Sequence, residues 1–308
     1  MTAFWIILAG SLVAVSCALL GTFLILRRMA MVGDAISHSV LPGIVIAYLI
    51  SDDRSGWVLL TGAALTGVLA SLLIEWFHRK ARIQSDASIG ITFTWLFAIG
   101  VILISKYAGD IDLDQECVLY GEIAYLPLST IVTESGYSFG PTGIWILLLN
   151  LILVLLFVIL GYRGLQITTF DPSFAAAMGI STAFWHYGLM SAVSLTTVFS
   201  FESVGAILVL AFLVVPAATA YLLTEKLRSM LILASLFGVM ASTGGYYLAL
   251  WFDGSIAAAM ALLSGGIFAL IFIFAPKQGI IFKYLRSEKL LSGKSLSAQE
   301  FPLNKHKF

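Results

Sequence analysis

The sequence predicts an all-α fold, a polytopic bundle of about nine membrane-spanning helices. Three observations carry that prediction. The chain is 60% apolar with a mean hydropathy of +1.00, and only 11% of its residues are charged, against roughly 25% in soluble domains. Its apolar residues gather into stretches near the ~20 residues that a helix needs to cross the hydrocarbon. Its lysines and arginines collect in alternate connections, as the positive-inside rule requires of successive spans.

The candidate spans are 4–26, 32–50, 57–77, 89–105, 143–161, 182–199, 203–223, 230–250 and 255–275. The second and fourth are the weakest, and 118–132 is apolar enough for an interfacial or re-entrant piece, so the count is open to eight or ten. With the N-terminus outside, all but Arg54 and Lys106 of the 17 cations fall in inner segments. The same bias puts the C-terminus inside and divides the chain into a transmembrane body, 1–276, and a basic cytoplasmic tail, 277–308. The first stretch is too long for a signal-peptide core and has no small-residue cleavage site, so it reads as a retained helix. Cys17 falls in a span and Cys117 in an outer loop, so no disulfide between them is expected.

Between the first two spans lies RRMAMVGDAISHSVLP, residues 27–42. Arg27 and Arg28 close the first span. Asp34 and His38, four residues apart, share one face of a helix, and Pro42 cannot donate to the carbonyl of His38. A carboxylate and an imidazole on one stripe suit a divalent cation; a helix-end structural pair near the inner face is the competing reading. Glu75 and His78, at the inner end of the third span, read as boundary residues.

The outer loop after the fourth span is acidic, with Asp110, Asp112, Asp114, Glu116 and Glu122. It reads as a solvated loop, or as a docking surface or cation-attracting mouth; its apolar half, VLYGEIAYLP, is expected to pack on the bundle. After the fifth span, Asp171 and Pro172 make a helix start, a capping side chain followed by Pro at the first helical position. Ser173, Phe174, Ala175, Ala176, Ala177 and Met178 follow as a short surface helix, and Gly179 ends it. It is either an ordinary interhelical loop or a piece suited to another protein's groove. Two further ionisable residues, His186 in FWHYG and Glu202 in SFES, are weaker candidate metal ligands; the plainer readings are a packed histidine and a surface carboxylate. In the tail, Gly293-Lys294-Ser295 lacks the glycine that a phosphate-binding loop needs, since Glu288 stands there.

Several of these segments together resemble the ABC-type permeases that import manganese, zinc or iron, the ABC-3 family. They are RRMAMVGDAISHSVLPG, FDPSFAAAMGIS, SLTTVFSFESVGAILVLAFLVVPAATAYLLTEKL and GSIAAAMALLSGGIFALIFIFAPKQG. They occur in family order and span nearly the whole chain. The resemblance implies a type II importer-like permease subunit of a bacterial inner membrane, without an ATPase of its own. It implies as partners a second permease subunit, identical or a sister, two cytoplasmic ATPase subunits and an external metal-loaded solute-binding protein. No nucleic-acid partner and no resident cofactor are expected, the divalent metal being the cargo. By the same resemblance Asp34 and His38 lie on the metal route and Asp171–Gly179 is the ATPase-coupling segment. The blocks DLDQECVLYGEIAYLP, FWHYGLM and SFESVGAILV look more like the manganese/iron branch than the zinc branch.

Two other classes are weighed against this one. A proton-coupled secondary metal transporter would use Asp34, His38 and Glu202 as a relay and need no ATPase. An intramembrane enzyme would need a nucleophile–base set or an HExxH helix, and the sequence contains neither.

Overall fold

Eleven α-helices order the described part of the chain. The computed structural model describes residues 2–51, 56–81, 83–107, 123–128, 130–132 and 138–275. Arg54, Cys117, the five acidic loop residues and the tail 277–308 lie outside them. The helices are α1 Thr2–Leu26, α2 Val32–Ser39, α3 Leu41–Ser51, α4 Gly56–Lys80, α5 Ser85–Tyr107, α6 Thr142–Phe170, α7 Pro172–Ala177, α8 Thr182–Val204, α9 Ala206–Leu223, α10 Leu227–Phe252 and α11 Ile256–Phe274. Eight helical segments are long and apolar enough to cross a membrane, with Val32–Ser51 counted as one. The remaining expected span is α8, whose 23 residues suffice in length; its serines, threonines and His186 lower its hydropathy. Helices suit a lipid setting because each satisfies its own backbone polar groups. Buried hydroxyls follow the same logic: Ser16 Oγ donates to the Leu12 carbonyl at 2.9 Å and Thr22 Oγ1 to the Ala18 carbonyl at 2.8 Å.

The central post is α1. Val13, Ala14, Cys17, Ala18, Leu20 and Phe23 are fully enclosed, and the helix packs against α6, α8, α9 and α10. A second group, α2 to α5, joins this post through α8, which lies against α4. Where α8 turns into α9, Gly205 takes φ +81°, a left-handed conformation that glycine adopts without steric cost.

Small residues set the closest approach in the second group. A Cβ on Gly43 in α3 would fall on the Gly62 carbonyl and the Thr66 hydroxyl of α4, and one on Gly62 would fall on the Gly43 carbonyl. The two backbones therefore touch there, as small-residue crossings in membranes allow. Gly43→Val is expected to force α3 off α4 at a cost of roughly 1–3 kcal/mol, read as a lowered melting temperature in detergent. Gly266→Ala, which meets open space, is the control. Equal melting temperatures for the two variants would contradict this packing account.

One piece differs from an all-helical expectation. Leu126–Leu128 forms a 3-10 turn, and β1 Thr130–Val132 pairs antiparallel with β2 Ser138–Pro141. Ile123 and Leu126 are buried beside this hairpin, so the end of the apolar half-loop does pack on the bundle. Gly140 of β2 sits against Trp5, which places the hairpin at the end of the bundle where α1 begins.

Candidate functional site

The polarity of α2 is divided by face. Val32, Gly33, Ala35, Ile36 and Ser39 are buried; Gly33 lies against Leu213 of α9, and Ile36 lies near Gly67 of α4. The opposite stripe carries Asp34 and His38. Their carboxylate Oδ1 and imidazole Nε2 are 3.6 Å apart, with side chains 38% and 41% exposed. Phe93 and Phe97 of α5 stand over the His38 ring, with centroids 5.9 and 6.0 Å away. The i, i+4 spacing thus brings the two donors onto one half-open face backed by aromatic walls. Among the described residues no third His, Cys, Asp or Glu joins them, so this face offers two donors.

The helix carrying them is interrupted at Val40, between α2 and α3. Val40 keeps helical angles, φ −75° and ψ −18°. Pro42 supplies no N–H at the turn following His38, and the next backbone bond runs from Ile44 N to the Val40 carbonyl at 3.1 Å. By helical rise, Asp34 and His38 stand ~3 and ~9 Å along the segment from its Val32 end. They remain in its first half, toward Arg27.

A second polar cluster, which the sequence left unassembled, ties α4 to α8. Glu75 is 4% exposed, and its Oε2 lies 2.8 Å from His186 Nε2. This corrects the reading of Glu75 as a boundary residue: α4 continues to Lys80, and α8 covers the carboxylate. This is a close contact between ring and carboxylate that lacks the alignment of a directed hydrogen bond. On the other side of the ring, Arg27 Nη1 is 3.4 Å from His186 Nδ1. The same guanidinium donates from Nε to Thr169 Oγ1 at 3.0 Å and from Nη2 to Thr168 Oγ1 at 3.1 Å. Burial lowers the Arg27 guanidinium and Glu75 partly offsets it, leaving it at about 10, so it stays charged at neutral pH. An arginine donating to Nδ1 leaves the ring proton on Nε2, facing Glu75. Both ring nitrogens of His186 therefore face protein partners. His78 is exposed, with Nδ1 2.9 Å from the Ile83 carbonyl, which fits its reading as a boundary residue. The Glu202 side chain lies outside what the structure describes.

The third predicted feature is α7. Asp171 Oδ1 accepts from Phe174 N at 2.9 Å and Pro172 opens the helix. Gly179 closes it at φ +76°, with Ile180 N donating to the Ala175 carbonyl at 2.9 Å and Gly179 N to the Ala176 carbonyl at 3.1 Å. These are the bonds of a glycine-terminated helix. Phe174 and Met178, four residues apart, are 53% and 65% exposed, whereas Ala175 is fully buried.

A bundle of membrane-length helices with a half-open carboxylate–imidazole pair and a capped surface helix between two spans defines a class, the multi-pass membrane transport proteins. The chain belongs to the ABC 3 transport family, whose model matches residues 1–275. It is 49% identical to the manganese transport system membrane protein MntD of Bacillus subtilis, over 92% of this chain and 95% of that one. It is 43% identical to the zinc transport system membrane protein TroD of Treponema pallidum, over 91% of this chain and 76% of that one. Among solved structures it is similar to PsaBC from Streptococcus pneumoniae in complex with Fab, with a TM-score of 0.72 and 33% identity, covering 92% of this chain and 94% of that chain.

Proposed function

We propose that the chain is the permease subunit of an ATP-driven, binding-protein-dependent importer of divalent metal ions, with manganese as the favoured cargo. The observation that carries this reading is the Asp34–His38 pair, two oxygen and nitrogen donors 3.6 Å apart on a half-open helix face, in a chain of the ABC 3 transport family. Relatives named for manganese and zinc transport support the cargo class, and the family favours the ATP-driven route over the proton-coupled one.

Each element then has a part. Two donors per chain hold a metal weakly enough to release it, as a conduction path requires. The open face of α2 leaves room for donors from a second permease subunit, a copy or a sister. An Asp–His pair by itself binds zinc more tightly than manganese, following the general affinity order; manganese selection therefore falls to the external binding protein that hands the metal over. The cation bias orients the N-terminus outward and puts α7 on the cytoplasmic side. There Asp171–Gly179 meets the ATPase subunits.

The test is reconstitution in liposomes with ATPase and binding-protein partners. ATP-dependent uptake of Mn²⁺, with Zn²⁺ and Fe²⁺ run alongside, is the expected result. Uptake that proceeds equally well without the ATPase would replace this reading with the proton-coupled alternative.

A further inference from the structure

Four helix ends meet at the polar cluster. Arg27 directly follows α1, Glu75 stands near the end of α4, Thr168 and Thr169 lie in the last turn of α6, and His186 stands early in α8. Two of those ends, α6 and α8, are the flanks of α7. Arg27 grips both of them, through the threonine hydroxyls on one side and His186 Nδ1 on the other.

Arg27 also begins the link into α2. That link is a bonded turn: Arg27 N donates to the Phe23 carbonyl at 3.0 Å, Met29 N to Leu24 at 2.9 Å and Val32 N to Met29 at 3.2 Å. Arg28 takes φ +59° within it. A short, internally bonded link passes a displacement of Arg27 to the start of α2 at Val32, two residues ahead of Asp34. One guanidinium therefore connects both flanks of the surface helix to the helix bearing the metal donors.

We infer that Arg27 is a positioning residue that carries the motion of α7 to the Asp34–His38 helix, an inference that rests on the transport reading above. The side chain suits the task. A planar fork of five donors serves three partners at once in fixed geometry, which a lysine ammonium on a flexible stem does not do. Glu75 supplies a counter-charge to the part-buried guanidinium and occupies the far side of His186. Thr168 and Thr169 make the α6 attachment directional.

The readout is metal transported per ATP hydrolysed, measured in the same liposomes with the complete transporter. A merely structural cluster, when damaged, lowers uptake and hydrolysis together and leaves that ratio unchanged. Arg27→Gln and Arg27→Lys are expected to lower Mn²⁺ uptake per ATP by about fivefold or more, with ATPase subunits still bound and hydrolysis retained. Thr168→Val combined with Thr169→Val spares the Arg27 and Glu75 charges and is expected to lower the same ratio, so the test stands even where an arginine variant does not assemble. A wild-type ratio in the assembled variants, or a proportionate loss of uptake and hydrolysis, overturns the inference while leaving the transport reading intact. A wild-type complex that takes up no metal on ATP overturns both.

Discussion

Asp34→Ala and His38→Ala are each expected to lower ATP-driven metal uptake by about tenfold or more while leaving the protein folded and assembled. The size follows from the donor count. With two donors on this face among the described residues, removing either one halves the share that the face contributes to the coordination shell, and loss of groups that merely support a ligand already costs 10- to 100-fold. The sparing of the fold follows from the faces of α2. Both side chains point away from the buried stripe and are more than a third exposed, so truncation opens no cavity. Ile36→Ala on the opposite face gives the contrasting result: its side chain is fully enclosed, and its loss costs about 2–5 kcal/mol of stability. Asp34→Asn keeps the volume and removes the charge, so it separates ligation from packing. Normal uptake by both alanine variants would make the pair structural and remove the metal path from α2.

What was legible in the sequence was what is local. The i, i+4 spacing of Asp34 and His38 fixes a shared face wherever a helix forms, and the cap, proline and glycine of 171–179 specify a short helix within nine residues. The spans were legible because each apolar run must satisfy its own backbone. Their ends were less so: α6 continues to Phe170, well past 161, since Tyr162 and Arg163 still fit a helix that has outrun its apolar stretch. The ring of Tyr162 lies 5.4 Å from the Arg228 guanidinium at the start of α10. In the second span, the sequence pointed to a freed carbonyl at His38 but not to the interruption at Val40.

The Arg27–His186–Glu75 cluster was not legible because its members come from four helices, with Arg27 and His186 159 positions apart. Taken singly, Arg27 ends a span, Glu75 looks like a boundary charge and His186 sits among aromatics. The available signal was jointly topological. In an up-and-down bundle the ends of α1, α4 and α6 and the start of α8 fall on one side, so a cation, an anion and an imidazole near those ends share a layer. Spacing within any one segment does not show which of them touch.

The second large effect is expected on α7. Phe174→Asp and Met178→Asp should each weaken association with the ATPase subunits by about 2 kcal/mol or more, roughly thirtyfold in affinity, and abolish ATP-driven uptake with it. Phe174 in the six-residue α7 and Met178 at its C-cap present two large, exposed apolar side chains four residues apart. Apolar anchors of this kind dominate interfaces when a partner's pocket desolvates them. Ala175 is the wrong position to probe. It is enclosed by the chain's own packing, so a bulky side chain there overpacks the seat of α7 and damages docking without touching the partner. The caps allow the distinction to be measured. Asp171→Ala removes the bond to Phe174 N and costs about 1 kcal/mol of local helix stability, without changing those two side chains. It should therefore weaken association less than Phe174→Asp does. The reverse order, with the cap variant worse than the anchor variant, would mean that the partner reads the path of the backbone through 171–179 and not its apolar face.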